Sequence, residues 1–231
     1  MPRQLRFPVP GIPQHIIQRG NDRQACFFED EDRDTYLFLL EEAAADTDCE
    51  FHAYVLMTNH VHLLATPRTA HGIPRMMQHL GRRYVQQINA RYRRTGTLWE
   101  GRYKATVVNS DEYVLQCYRY IELNPVRAGM ERSPATHRWS SYRPNALGDI
   151  KAFLVPHETY RSLGRSPQAR QLIYRLLVDE GLADIQIKEI RQAMQRAWPL
   201  GNAQFDAQRE VMLKRRIPRN AWGGDRRSAE K

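Results

Sequence analysis

Cysteine is scarce in this chain, and Cys26, Cys49 and Cys117 form no CxxC pair and are odd in number. That argues against a disulfide framework and a zinc-finger cage, and makes a reducing cytoplasm the expectation. Long apolar runs are also missing. No stretch of about 18 apolar residues is present to span a membrane, and the opening MPRQLRFPVPGIP is too poor in apolar residues for a signal peptide. Acids are almost absent from one segment. Between Arg68 and Lys104 a single acid, Glu100, stands against nine Arg or Lys, whereas Glu29 to Glu50 holds ten acids and only Arg33. The rest of the composition, 42% hydrophobic and 26% charged over 231 residues, excludes a chain disordered throughout. A net charge of +9 and a pI of about 9.7 suggest a polyanionic partner. The segregation of charge reads as one nucleic-acid-binding face and one solvated face, although charge runs are often only soluble surface.

Pattern along the chain gives the elements. His15-Ile16-Ile17-Gln18-Arg19, stopped by Gly20-Asn21-Asp22, reads as a first strand. Asp30 or Asp32 caps a helix with Tyr36, Leu37, Leu40, Ala43 and Ala44 at helical spacing to about Asp46. Phe51 to Leu56 and His60 to Ala65 form a hairpin around Thr58-Asn59. Ile73, Met76, Met77, Leu80, Tyr84, Val85, Ile88 and Tyr92 mark a helix from Gly72 to about Arg94, apolar on one side and basic elsewhere. Tyr103 to Val108 is a fourth strand. Ser110 then caps a third helix, which Asn124-Pro125 ends. The order βαββαβα predicts an α+β, ferredoxin-like antiparallel sheet with helices on one face. A boundary is expected near Asp149, giving a core over 1–148 and an extension over 149–231. The extension carries apolar helical runs at Leu172 to Leu177, Ile185 to Met194 and Phe205 to Leu213, then a basic tail.

Within this frame two groups of residues carry chemistry. Side chains two apart on a strand share a face, so His60 and His62 can present nitrogens to one ion; two hydrogen-bonded structural histidines are the alternative. Residues four apart on a helix also share a face, placing Tyr120 beside Asn124 and Tyr118 beside Glu122. Asn124 could supply an oxygen ligand. Two imidazoles, one amide oxygen and open positions suit Mg²⁺ or Mn²⁺ better than a closed structural zinc. Spacing favours Tyr120 over Tyr118 as a nucleophile only slightly.

The stretches His52-Ala53-Tyr54-Val55-Leu56-Met57-Thr58-Asn59-His60-Val61-His62-Leu63-Leu64 and Tyr120-Ile121-Glu122-Leu123-Asn124-Pro125-Val126-Arg127-Ala128-Gly129 resemble the HUH single-tyrosine transposases. Within them the chain is similar to the REP-associated branch of the insertion-sequence 200/605 type, to which the entry His15–Asn21 and Trp139-Ser140-Ser141-Tyr142 also correspond. The likeness covers roughly Pro10 to Arg143. It departs from the family's pattern in Met57-Thr58-Asn59, where proline is expected in the middle. What the resemblance implies is that His60 and His62 are metal ligands, Asn124 the third ligand, Tyr120 the nucleophile and Tyr118 a packing residue. It further implies attack on a DNA phosphate to leave a 5′-phosphotyrosine and a free 3′-OH, with no small-molecule cofactor.

By the same resemblance the substrate is single-stranded or hairpin DNA, such as a repetitive extragenic palindrome. Arg82, Arg83, Arg91, Arg93, Arg94, Arg102 and Lys104 are then expected on phosphates, with Trp99 stacking a base or packing in the core. The protein is expected as a monomer or homodimer. A non-catalytic nucleic-acid-binding module on a ferredoxin-like sheet is the alternative, and a replication-initiator or relaxase-like nuclease is disfavoured because the His pair precedes the single tyrosine.

Overall fold

The computed structural model describes residues 9–196 and 200–201. In chain order it contains β1 (Gln14–Arg19), α1 (Asp30–Thr47), β2 (Cys49–Leu56), β3 (His60–Pro67), α2 (Gly72–Arg91), β4 (Lys104–Asn109) and α3 (Asp111–Glu122). After these come α4 (Asn124–Arg127), α5 (Glu158–Arg161), α6 (Pro167–Glu180), α7 (Asp184–Arg196) and the two-residue β5 (Leu200–Gly201). The sheet order is β2-β3-β1-β4-β5, and the β2·β3, β1·β3 and β1·β4 pairs are all antiparallel. The expected α+β, ferredoxin-like arrangement is thus present.

Local chemistry explains where the elements begin. Asp32 reaches back to accept from the backbone N–H groups of Phe28 (2.8 Å) and Glu29 (3.0 Å), so the cap of α1 is Glu29 and neither Asp30 nor Asp32 as expected. Ser110 caps α3 by accepting from the Tyr113 N–H at 3.2 Å. Between β2 and β3 the Met57 N–H donates to the His60 carbonyl at 2.9 Å and closes the hairpin.

Helices lie on both faces of the sheet, not on one as expected. In β3, Val61, Leu63 and Ala65 join the core under α1 and α2, while Leu64 joins a second core with Val55, Val114, Cys117, Tyr118 and Ile121 under α3. β2 and β3 are therefore buried on both sides and read as nearly continuous apolar runs, which conceals the second layer from the sequence pattern. Tyr160, Tyr174, Val178, Ile190 and Met194 complete the second core, so α5, α6 and α7 pack where α3 packs. The compact unit that holds these elements ends at Leu200, and the expected boundary at 148/149 falls inside it. The predicted helix over Phe205–Leu213 and the basic tail lie outside the described residues.

Candidate active site

β1 carries the base of the site beside β3. Arg19 is paired with His60 and Ile17 with His62, so both histidines rise on the α3 face. Opposite them, α3 puts Tyr118 and Tyr120 on different sides of the helix. Tyr118 is wholly buried, stacked on Tyr160 at 5.8 Å, with its hydroxyl accepting from the His157 N–H at 3.2 Å. Tyr120 instead packs its ring edge-on against His15 and His62, each at 5.7 Å between centroids.

The histidines are held by their outer nitrogens. His60 Nδ1 is hydrogen-bonded to Asn59 Oδ1 at 2.7 Å, and His62 Nδ1 to His15 Nε2 at 2.9 Å. Each Nε2 is left for the site, the arrangement expected of a metal-ligating imidazole with an outer hydrogen bond. Burial, reinforced by neighbouring cations, lowers the basicity of both; His60 falls to about 4 and His62 well below the usual histidine range. Both are therefore neutral near pH 7, the form that can bind a metal.

A cavity of about 560 Å³ gathers His60, His62, Tyr120 and Asn124 with Arg19, Arg23, Arg102, Lys104 and Arg191. One acid, Glu100, lines it as well. Asn124 stands at the start of α4, one turn beyond Tyr120, and its Nδ2 is buried without a protein partner among the described residues. No group of three His, Cys, Asp or Glu side chains forms a metal cage among the described residues. The candidate ligand set is two imidazoles and an amide.

Behind Tyr120, a buried carboxylate fixes the end of α3. Glu122 accepts from Ser141 Oγ (2.5 Å), Tyr174 Oη (2.6 Å) and Asn145 Nδ2 (2.8 Å). Burial raises its pKa to about 7 despite these three donors. This joins α3 to the Trp139–Tyr142 segment and to α6, and it gives Glu122 a structural occupation away from the cavity.

The family described as "Transposase IS200 like" matches residues 9–124, half of the chain and all four groups at the cavity's centre. The chain belongs to the IS200-like transposases. These enzymes cut and rejoin DNA, so the binding-module alternative is set aside. Among solved structures, the transposase is similar to a REP-associated tyrosine transposase bound to a REP hairpin. Identity is 14%, coverage 68% of this chain and 93% of the other, and TM-score 0.57, a likeness of fold. A crystal structure of a protein from Deinococcus radiodurans R1 matches with 19% identity, 56% and 98% coverage and a TM-score of 0.38. No curated protein matches at a significant level.

Of the expected DNA-contacting residues, only Arg102 and Lys104 line the transposase's cavity. Arg82, Arg83 and Arg91 belong to α2, across the sheet from the His pair, and Arg93 and Arg94 follow it. The acidic and basic runs that looked separate in sequence meet in space. Arg83 pairs with Glu42 at 2.8 Å, and Arg91 with Glu29 (2.7 Å), Asp32 (3.3 Å) and Glu31 (3.7 Å), because α1 and α2 pack side by side. Arg94 lies over the Phe28 ring at 5.3 Å, and Arg82 lines a second cavity with Asp46 and His79. Trp99 is 5% exposed and packs against Tyr36 and Tyr84, so it is a core residue with no face free for a base.

Sequence reasoning passed over Arg19, Arg23 and Arg191 at the cavity, and His15 and Arg127 beside Tyr120. Arg19 and His15 had a signal, since β1 alternates His15, Ile17 and Arg19 on one face; that this face adjoins the His pair depends on a strand register no local pattern states. Arg191 lies 71 positions beyond Tyr120 and had no signal.

Proposed function

We propose that this transposase cuts single-stranded DNA next to a hairpin by direct attack of Tyr120 on a backbone phosphate. The observation that carries the reading is the convergence of His60, His62, Tyr120 and Asn124, from β3, α3 and α4, on one cavity rimmed by five cations. A phosphate seated there meets Arg19, Arg102, Lys104 and Arg191, which hold it by charge. Residues 1–148 carry the reacting groups in this reading. The extension from 149 supplies Arg191, Met194 and Gln195 of α7 to the cavity wall.

Attack forms a 5′-phosphotyrosine and frees a 3′-OH. One phosphodiester bond replaces another of similar kind, so the step is reversible and the same site can rejoin ends. The free Nε2 atoms of His60 and His62, with the Asn124 amide, fit a six-coordinate divalent ion such as Mg²⁺ or Mn²⁺. When bound, that ion supplies Lewis-acid stabilisation of charge on the phosphate. Asn59 Oδ1 accepts from His60 Nδ1–H and so holds that ring in the tautomer that leaves Nε2 unprotonated, and His15, bonded to His62 Nδ1, fixes the orientation of the second ring.

Hairpin DNA is proposed as the substrate because the single strands beside a hairpin expose the backbone to a narrow cationic cavity, and the similar fold above was solved with a REP hairpin. The test is incubation with a hairpin oligonucleotide carrying single-stranded flanks. A covalent adduct that forms with Mn²⁺ or Mg²⁺ and disappears with EDTA supports the reading; an adduct indifferent to EDTA removes the metal from it. No adduct with any palindrome flanking the gene overturns it.

A further inference from the structure

Arg127 is the most unusual charge in the transposase. Its guanidinium lies 4.3 Å from the centroid of the Tyr120 ring, and one of its Nη groups donates to the Tyr120 carbonyl. Among the described residues its Nε and Nη1 are buried with no hydrogen-bond partner, and it forms no ion pair. Burial lowers its pKa to about 10, against an opposing pull from Tyr120, and the Arg191 cation lowers it further. A buried cation without a counter-charge is costly, and removing its solvation is repaid only by an anion nearby. No acid among the described residues forms an ion pair with Arg127, and Glu100, the one acid of the cavity wall, is not among its partners. An anion does arise there in the proposed reaction, on Tyr120 itself.

We propose that Arg127 is a catalytic residue whose guanidinium, held against the ring face of Tyr120, stabilises the negative charge the phenol oxygen gathers during attack. This rests on the reading of Tyr120 as nucleophile. In the step, the Tyr120 Oη–P bond forms, the P–O3′ bond breaks, and the phenolic proton ends on the departing 3′ oxygen. In rejoining, the same bonds exchange in reverse and Tyr120 leaves as the charged group, so Arg127 acts in both directions. A phenol is a weak nucleophile until its proton is leaving, and no carboxylate or free imidazole stands in hydrogen-bond contact with the Tyr120 hydroxyl among the described residues. A cation over the ring is attracted to an ordinary tyrosine and far more to a phenolate, so its effect is concentrated in the transition state.

The experiment measures the single-turnover rate of adduct formation on a hairpin oligonucleotide with Mn²⁺ for the full chain and for Arg127→Met and Arg127→Lys. Oligonucleotide affinity is measured in parallel on each variant combined with Tyr120→Phe. Arg127→Met is expected to slow adduct formation roughly 10- to 100-fold while affinity changes by less than about twofold. Arg127→Lys, which keeps a cation at the ring, is expected to recover a large part of the rate. An unchanged rate in Arg127→Met overturns the proposal. So does a loss of affinity equal to the loss of rate, which would make Arg127 a plain phosphate contact, or an Arg127→Lys protein that melts like the parent yet reacts as slowly as Arg127→Met. If Tyr120→Phe alone still forms an adduct, the nucleophile assignment has failed and the role of Arg127 falls with it.

Discussion

Tyr118 and Tyr120 are two residues apart and have opposite surroundings. Tyr118 is an interior ring among Tyr160 and Tyr174, and Tyr120 faces the cavity of His60 and His62. Tyr118→Phe is therefore expected to leave DNA cleavage intact and lower stability by about 1 kcal/mol, through loss of the acceptor for the His157 N–H, measurable by denaturant unfolding. Gly20 carries a different constraint at this scale. A Cβ there would sit 2.2 Å from the Gln24 carbonyl oxygen, at a turn whose Gly20 N–H binds the Asn59 carbonyl next to His60. Gly20→Ala should cost on the order of 2 kcal/mol by forcing that turn apart, and a variant as stable as the parent would show the turn is free to adjust. The His-x-His pair was legible because strand alternation is local. The choice between the two tyrosines was not, since both spacings place an acceptor four residues on; it takes the buried partners Ser141, Asn145 and Tyr174 to occupy Glu122 and leave Asn124 at the cavity.

At the scale of elements, the acidic run of α1 and the basic run of α2 meet, and their packing ties Arg83 and Arg91 into half-exposed ion pairs worth up to about 1 kcal/mol each. Arg83→Gln with Arg91→Gln should thus alter hairpin affinity little and soften stability slightly. Arg102→Gln with Lys104→Gln, at the cavity rim, should weaken binding and reduce the log–log salt slope by roughly 0.7 for each phosphate these side chains neutralise. Equal effects from the two pairs in a salt titration would put DNA on both faces of the sheet. The order of elements was legible from apolar period and turn residues. Their layering was not, because strands buried on both faces carry no alternation to reveal which side a helix covers.

The whole molecule should be sensitive to acid through its buried histidines. His52 is 2% exposed and bonded to the Val155 carbonyl (2.7 Å) and Thr66 Oγ1 (2.7 Å), and burial lowers its pKa to about 4. An unfolded chain takes up that proton near pH 6.5, the folded chain only near 4. Stability from this group is present above pH 6.5 and is lost as pH falls from 6.5 towards 4, by roughly 3 kcal/mol for the full shift. Glu122 works in the opposite sense, being easier to bury protonated, but it is one group against several lowered histidines. Melting temperature should fall between pH 7 and 4.5, less steeply in His52→Gln; a flat profile would mean these rings are hydrated.

That a single tyrosine, Tyr120, takes the DNA strand can be tested directly by peptide mapping. Trypsin divides the chain after Arg119 and Arg127, so Tyr120 travels alone in the peptide Tyr120–Arg127 while Tyr113 and Tyr118 remain together in the preceding one. Mass mapping of the nuclease-trimmed adduct should find the nucleotide on Tyr120–Arg127. A nucleotide on the peptide holding Tyr118 would contradict the assignment.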